Sequence, residues 1–203
     1  MTRILLIRHA RTPETGTRLT GRLPGVSLGD AGRVEASGLA DRLASVPFRA
    51  VYASPIERTW ETALALTDRR RLEPIRHDGL LEVDYGDWSG RTLSSLSRLK
   101  AWRTVQTTPS RMRFPGGESL VEAQARAVAS CEGIAGRHRS QTVALVTHAD
   151  VIKALLSHYL GQPLDLFQRI TVAPASLSVV DLPSGGTPRI VAVNTSGEPS
   201  TWR

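Results

Sequence analysis

The sequence is short of cysteine, of aromatic residues and of long hydrophobic runs, and each shortage excludes a class of protein. Its single cysteine, Cys131, permits no internal disulfide, which excludes a small secreted domain held together by disulfide bonds. Its apolar runs stay well below the roughly 18 residues that a membrane-spanning helix needs. The first of them, residues 4–7, is too short for a signal peptide, so we expect a cytoplasmic protein with no membrane partner.

Lysine is also scarce, since Lys100 and Lys153 are the only two among 26 lysines and arginines that contribute to a formal net charge of +7. This excess of arginine has two interpretations: a compositional bias of the genome, or an anionic partner such as nucleic acid or a phosphorylated small molecule. Aromatic residues make up 5% of the chain, which is little for stacking on bases, and no nucleic-acid-binding motif is present. We therefore expect no nucleic-acid partner.

The chain otherwise has an ordinary globular composition, with 40% hydrophobic and 22% charged residues in a length of 203. That length suits one domain, which we expect to span residues 1–203. Residues 88–118 carry several glycines and prolines and have the least regular pattern. We expect them to form an insertion or a lid over a site, where substrate specificity would lie.

Five short apolar runs predict strands, at residues 4–7, 50–53, 143–146, 178–182 and 190–193. The first three are continuous and partly β-branched, which is typical of buried parallel strands. The last two flank the turn-rich stretch "PSGGTP" and indicate a hairpin at one side of the sheet.

Four segments between the strands predict helices, at residues 27–46, 54–67, 118–136 and 150–161. The second has a clear start signal, with Ser54 as N-cap, Pro55 at the first helical position and Glu57 completing a capping box. Cys131 falls on the apolar stripe of the third helix, which predicts a buried thiol. Strands that alternate with helices predict a three-layer α/β/α sandwich with a mostly parallel central sheet and one antiparallel edge.

Polar side chains follow three of the predicted strands at the point where each strand ends. Arg8 and His9 follow the first strand, Ser54 and the nearby Arg58 follow the second, and His148 follows the third. Because the carboxyl ends of parallel strands meet at one edge, we expect two histidines and two arginines at the same rim. A helix N-terminus there would add backbone donors for a phosphate. Each residue alone could be structural or solvated, but their joint placement indicates an anion-binding site.

The histidine in this set stands between arginines. Arginine stays charged, so Arg8 and Arg58 should disfavour a proton on His9 and keep its ring neutral. A neutral histidine nitrogen is a competent nucleophile at neutral pH.

At this point the sequence resembles the histidine phosphatase superfamily, which includes the cofactor-dependent phosphoglycerate mutases. The stretch "LLIRHART" is similar to the signature of that family. Further segments match in the family's order over residues 3–160: "SLGDAGRVEA", "VYASPIERTWETA", "LLEVDYGDWSG", "FPGGES" and "VALVTHADVIKALL". The resemblance therefore rests on several motifs in order and not on one.

The resemblance implies a phosphatase that acts on a small phosphorylated metabolite through a phosphohistidine intermediate and needs no cofactor and no metal. It implies that His9 is the nucleophile, that Glu82 is the proton donor, and that the phosphate is bound by Arg8, Arg58 and His148. Thr15 stands near a position where the family often has a polar residue that also touches the phosphate. Nearby cations should depress the pKa of Glu82, and an arriving phosphate dianion should raise it.

The chain departs from the family pattern after the nucleophile. Ala10 occupies a position that is usually Gly, and Arg11 occupies one where Glu or Gln is common. Arg11 would either bind a second anionic group of the substrate or pair with Glu14 or another carboxylate.

Three alternatives remain open on the sequence alone, one of which is the basic nucleic-acid binder that the low aromatic content disfavours. A phosphoglycerate mutase would use the same residues, but the family's mutases are longer and more basic after the acid, and their characteristic insertion is not evident here. A phospholigand-binding protein without turnover is the second alternative, against which an intact His9 and Glu82 argue. A metal site from His9, His148, Asp150 and Glu82 lacks any recognised ligand spacing, so we expect none.

Overall fold

The structure, a computed structural model, describes residues 1–68 and 70–196. These residues contain six strands: β1 (Thr2–Arg8), β2 (Ala50–Ala53), β3 (Pro74–Arg76), β4 (Thr142–Thr147), β5 (Leu177–Leu182) and β6 (Arg189–Thr195). They form one sheet in the order β3-β2-β4-β1-β5-β6. The end of the predicted domain, residues 197–203, lies outside the described residues.

The directions of the strands confirm the predicted sheet. Strands β1 to β4 run parallel, β5 is antiparallel to β1, and β6 is antiparallel to β5. All five predicted strands are present, within two residues of their expected bounds at either end. The sixth, β3, was not predicted, because a three-residue strand that begins with proline has almost no sequence signal.

Helices cover both faces of the sheet, as the alternating pattern predicted. They are α1 (Asp30–Arg42), α2 (Glu57–Thr67), α3 (Leu93–Leu96), α4 (Lys100–Thr107), α5 (Leu120–Arg137) and α6 (Ala149–Tyr159). On one face, Leu5 and Ile7 of β1 belong to a core with Leu39 of α1. On the other face, Ile4 and Leu6 belong to a core with Leu155 of α6. Successive side chains of β1 point to opposite faces of the sheet, so this strand contributes to the cores on both sides.

Helix α1 shows where apolar periodicity misled the sequence prediction. The expected apolar face included Val34, whose side chain is 73% exposed, whereas Gly32, Ala36 and Leu39 are buried. A Cβ at Gly32 would lie 1.9 Å from the carbonyl oxygen of Arg11. The helix therefore approaches the backbone just after the strand β1 more closely than any larger residue would allow.

Helix α2 starts later than predicted. Its N-cap is Ile56, with no side-chain cap, and the expected capping box between Ser54 and Glu57 does not form. Ser54 is fully buried and its hydroxyl contacts His148 instead. Ser54, a residue type that often caps helices, therefore orients the imidazole ring of His148 instead.

Residues 88–118 are more regular than expected. They contain α3, α4 and a 3₁₀ turn at Pro109–Arg111, and they contribute to a third hydrophobic core. The buried side chains of that core include Trp88, Leu96, Val105, Met112 and Phe114. The segment is therefore not irregular as expected, because aromatic and aliphatic residues between the glycines and prolines bury one another.

Two other sequence expectations can be compared with the described residues. Cys131 is fully buried on α5, as the apolar stripe predicted. None of the described helices combines the length and apolar character needed to cross a bilayer.

Candidate active site

The ends of three parallel strands form the floor of one cavity of about 380 Å³. Arg8 ends β1, His9 follows it, and Arg58 lies in the first turn of α2, which follows β2. These three residues and Glu82 line the cavity. His148, which follows β4, is fully buried and does not line the cavity, and its ring lies 5.3 Å from the His9 ring. The structure thus brings together the two histidines and two arginines that the sequence placed at one rim, and adds Glu82 to them.

The hydrogen bonds of His9 indicate which ring nitrogen carries the proton and which has a lone pair. Nδ1 lies 2.7 Å from the carbonyl oxygen of Ala10, so that nitrogen carries the proton and donates. Nε2 then accepts a hydrogen bond from Nε of Arg58, at 3.2 Å. Burial lowers the pKa of His9 well below its usual value, and the charges of Arg58 and Arg8 lower it further. The ring is therefore neutral, with its nucleophilic nitrogen on the arginine side.

The two arginines each keep a buried nitrogen unpaired. Arg58 is 1% exposed and donates from Nη2 to the carbonyl oxygen of Gly21 at 2.7 Å, while its Nη1 has no partner among the described residues. Arg8 donates from Nη1 to the carbonyl oxygen of Val172 at 2.6 Å, and its Nε is equally unpaired. Buried donors without acceptors are costly, and a phosphate oxygen would satisfy them.

His148 holds the opposite tautomer. Its Nε2 lies 2.9 Å from the hydroxyl of Ser54 and donates to it, so its Nδ1 accepts from Nη2 of Arg58, at 3.2 Å. Burial and the charge of Arg58 lower the pKa of His148 well below the usual value. A chain of contacts therefore runs from Ser54 through His148 and Arg58 to His9.

Glu82 is the buried carboxyl group of the site. It is 8% exposed, its Oε1 accepts from the backbone N–H of Val83 at 3.0 Å, and its Oε2 lies 4.0 Å from Nδ1 of His148. Burial raises the pKa of Glu82 to about 7, the charge of Asp150 adds to the rise, and Arg58 opposes it. From the sequence, the nearby cations were expected to lower the pKa of Glu82 until a phosphate dianion bound. Burial outweighs them, so the acid is half protonated near neutral pH in the free protein.

The "FPGGES" motif supports the segment that carries Glu82. Glu118 Oε1 accepts hydrogen bonds from Arg22 at 2.9 Å, from Arg126 at 2.7 Å and from the backbone N–H of Asp84 at 2.9 Å. Arg22 also donates to the carbonyl oxygen of Glu82, at 2.8 Å. The motif therefore holds the backbone of the segment that carries the acid, through Glu118 and Arg22, and it does not itself line the cavity.

The outer part of the cavity holds charged residues that the sequence analysis missed as substrate-facing groups. Lys153 Nζ lies 3.2 Å from Oδ1 of Asp150 and 3.0 Å from Oε1 of Gln168. The Tyr85 hydroxyl donates to Oδ2 of Asp150 at 2.9 Å. On the facing loop, Arg18 pairs with Glu14 at 3.3 Å. Both charged members of the α6 pair stand one turn apart on the helix after His148, a spacing that could have drawn attention to them.

Thr15 and Arg11, the two further residues expected to bind phosphate, differ in whether they line the cavity. Thr15 lines the cavity, and its hydroxyl accepts from the backbone N–H of Thr12 at 2.9 Å. Arg11 does not line the cavity. Its Nε lies 2.5 Å from Oε1 of Glu35, and its backbone N–H donates to Oε2 of the same carboxylate at 3.0 Å. The structure therefore favours the other expectation for Arg11, pairing with a carboxylate, because its side chain forms an ion pair with Glu35 of α1.

Residues 88–118 contribute little to the cavity. Of that stretch, all of which is described, Leu93 alone lines the wall. The wall is built mainly from the loop after β1, the start of α6 and residues 168–172. The structure therefore gives residues 88–118 little direct contact with the cavity in which specificity was expected to arise. Within the described residues, no group of three or more His, Cys, Asp and Glu side chains is placed to hold a metal ion.

Comparison with known proteins identifies similar chains. Residues 4–196 match the histidine phosphatase superfamily (branch 1). A protein of Hydrogenobacter thermophilus named phosphoserine phosphatase 1 is 32% identical over 187 residues, which cover 90% of this chain and 87% of that one. A glucosyl-3-phosphoglycerate phosphatase of Mycolicibacterium vanbaalenii is 33% identical over 175 residues, 80% of this chain and 76% of that one. Proteins named as probable phosphoglycerate mutases match as well.

Among solved structures, YhfR of Bacillus stearothermophilus superposes with a TM-score of 0.89 and 28% identity, and the match covers 100% of both chains.

Proposed function

We propose, from the premise that this chain belongs to the histidine phosphatase superfamily, that it hydrolyses small phosphomonoesters through a phosphohistidine intermediate on His9. One observation carries the proposal: a neutral, buried histidine has its unprotonated Nε2 beside two arginines that each retain an unpaired donor. A nucleophile, a phosphate cradle and an acid then meet in one cavity.

In the first step the dianionic phosphate binds Arg8 and Arg58, whose free nitrogens take its oxygens. Nε2 of His9 attacks phosphorus, a P–N bond forms and the bond from phosphorus to the ester oxygen breaks. Glu82 gives its proton to the departing oxygen, which leaves as the alcohol.

In the second step a water molecule attacks the phosphohistidine. Glu82, now a carboxylate, takes a proton from that water, a P–O bond forms and the P–N bond breaks. Inorganic phosphate leaves, and His9 and Glu82 return to their starting states. His148 does not need to touch the phosphate in this scheme, because it positions Arg58 through Nδ1 while Ser54 fixes its tautomer.

A mutase is the second candidate, since mutase-named proteins are among the relatives. A mutase must retain a phosphorylated acid that carries two or more anionic groups. The cations of this cavity other than Arg8 and Arg58 are Arg18 and Lys153, and both are paired with carboxylates. Among the described residues, each of these cations already has a carboxylate beside it, so a leaving group with a net negative charge is disfavoured, and this favours hydrolysis.

The proposal includes a cytoplasmic location and a small metabolite as substrate. The single buried cysteine is compatible with a reducing compartment. The cavity of about 380 Å³ suits a ligand of small-metabolite size and supports a small leaving group.

The test is phosphate release from p-nitrophenyl phosphate, with and without EDTA, combined with a rapid quench at alkaline pH and peptide mass spectrometry. We expect release that EDTA does not reduce, and a phosphoryl group on His9. A label on any other residue, or activity lost in EDTA, would contradict the mechanism. With 3-phosphoglycerate, transfer to the 2-position without release of phosphate would establish the mutase instead.

A further inference from the structure

The outer cavity contains an ion pair that the proposed chemistry does not use. Lys153 and Asp150 lie one turn apart on α6, with side chains only 16% and 21% exposed. Both line the cavity, and neither is needed to bind the phosphate or transfer it. Tyr85 holds one oxygen of Asp150, and Gln168 holds the ammonium of Lys153, so both charges are fixed in place.

The remaining hydrogen-bonding capacity of this pair is directed at two kinds of group. An ammonium has three donors, and Lys153 uses one on Asp150 and one on Gln168. Each carboxylate oxygen accepts about two hydrogen bonds, and each oxygen of Asp150 has one protein partner. One donor of Lys153 is therefore left for a carboxylate, and acceptor sites of Asp150 are left for an ammonium.

The charge of the cavity agrees with a leaving group of no net charge. The phosphate dianion is matched by Arg8 and Arg58, and the other cations of the wall, Arg18 and Lys153, are each neutralised by a carboxylate. A leaving group with only a carboxylate would be repelled by Asp150, and one with only an ammonium would be repelled by Lys153. A polyol would be tolerated but would gain no new charge-assisted bond.

We propose that the Asp150–Lys153 pair binds the leaving group, and that the substrate is a phosphomonoester of a small alcohol bearing both an ammonium and a carboxylate. This rests on the proposed phosphatase function and adds the class of substrate to it. The ammonium bonds to Asp150 and the carboxylate bonds to Lys153.

The cavity limits the size of that alcohol. Glu82, Asp150 and Lys153 line the same cavity of about 380 Å³, which must also hold the phosphate. The charged groups of the alcohol therefore lie a few bonds from its ester oxygen, as they do on an amino acid with a short hydroxylated side chain.

Four matched primary alkyl phosphates test the proposal: O-phospho-L-serine has both groups, phosphoethanolamine only the ammonium, 3-phosphoglycerate only the carboxylate, and glycerol 3-phosphate neither. We expect kcat/KM for phosphoserine to exceed each of the others by about ten- to a hundredfold, the gain of charge-assisted hydrogen bonds. Glycerol 3-phosphate hydrolysed as well as phosphoserine would overturn the proposal.

Variants separate recognition from an effect on the acid. Asp150→Asn and Lys153→Met are each expected to lower the ratio of kcat/KM for phosphoserine to that for glycerol 3-phosphate about tenfold or more. Within one variant any change in Glu82 affects both substrates alike and cancels from the ratio. Asp30→Asn, in the exposed pair with Arg33 that also lies one turn apart on a helix but does not line the cavity, is the matched control and should leave the ratio within about twofold.

The outcomes distinguish the two levels of inference. A ratio that neither variant changes means that the pair is structural, and the proposal fails while the phosphatase function stands. If none of the four compounds and no p-nitrophenyl phosphate is hydrolysed by the wild type, the proposed function itself fails. Should a variant fold poorly, the wild-type order of the four substrates still decides.

Discussion

The inner and outer parts of the cavity handle charge in opposite ways. The inner site is Arg8, His9, Arg58, Glu82 and His148, where neither guanidinium group forms an ion pair with a carboxylate of the described residues. The outer site is Glu14, Arg18, Asp150, Lys153 and Gln168, where each cation is paired with an anion. Unpaired buried groups are costly, so their presence identifies the place where a ligand supplies the missing partner. The proposed chemistry therefore takes place in the inner site, where buried donors lack acceptors, and the proposed recognition takes place in the outer site, where charges form ion pairs.

The two sites also differ in what holds them. Arg8, His9 and His148 stand directly at the ends of central parallel strands, and Arg58 in the first turn after one. The outer residues stand on the loop after β1, on the side of α6 and in residues 168–172. Strand ends are fixed by the sheet, whereas loops can vary in composition without disturbing it. The inner site is thus tied to the fold, and the outer site is free to set the substrate.

The largest expected effect removes the nucleophile of the inner site. His9→Ala should abolish hydrolysis of p-nitrophenyl phosphate by several orders of magnitude, because no other nucleophile among the described residues stands beside the two arginines. Stopped-flow release of nitrophenolate measures it. His158→Gln, a substitution at an exposed histidine of α6, is the control and should change nothing. Activity that survives His9→Ala would remove the basis for the inner site as described.

The next effect concerns the acid. Glu82→Gln should slow transfer from an alkyl phosphate by about 10² to 10⁴, because the leaving oxygen then departs without a proton. An aryl phosphate with an acidic phenol needs less protonation, so its transfer to His9 should suffer less. Single-turnover rates for the two substrates measure the difference. Equal losses for both would mean that Glu82 has another role.

The pH dependence should show a smaller effect of the same group. Glu82 has a pKa raised to about 7, mainly by burial, and it acts in its protonated form in the first step. At substrate concentrations well below KM, where the rate reports the free protein, single-turnover transfer from an alkyl phosphate should therefore fall about tenfold for each pH unit well above 7. The lowered pKa of His9 keeps that ring neutral, so it adds no loss between pH 8 and pH 6.5.

Asp150 offers a check on this assignment. Its charge helps to raise the pKa of Glu82, so Asp150→Asn should move the fall in rate to lower pH. A fall that stays in place, or one seen equally with an aryl phosphate, would assign the titration to a different group.

Much of the fold could be predicted from the sequence, and the misses have physical causes. Central strands such as β4 are continuous apolar runs and were found within one residue. The edge strand β3 has two exposed residues out of three, so it leaves no such run. Ser54 carries the chemistry of a helix cap, but burial beside His148 uses its hydroxyl elsewhere. Neighbours distant in sequence decided both cases, and local patterns do not report them.

The site divides in the same way. The two histidines and two arginines of the inner site could be placed together because sheet topology brings strand ends to one edge, whereas Glu82 was assigned only from the family resemblance. The pairing of Lys153 with Asp150 is visible in the spacing of α6, but that both face the cavity depends on residues 168–172 folding over them. The raised pKa of Glu82 depends on burial, which a loop sequence such as "LLEVDYGDWSG" does not disclose.

The smallest expected effect lies at Arg11, just outside both sites. Its ion pair with Glu35 is more than half exposed on the arginine side, and exposed pairs contribute about 0–1 kcal/mol to stability. The backbone N–H of Arg11 keeps its own bond to Glu35 when the side chain changes. Arg11→Gln should therefore alter kcat/KM by less than about twofold, and equally for p-nitrophenyl phosphate and for 3-phosphoglycerate, since the side chain does not line the cavity. A selective loss on the doubly anionic substrate would place Arg11 in the outer site after all and undo the view that its cations are all neutralised.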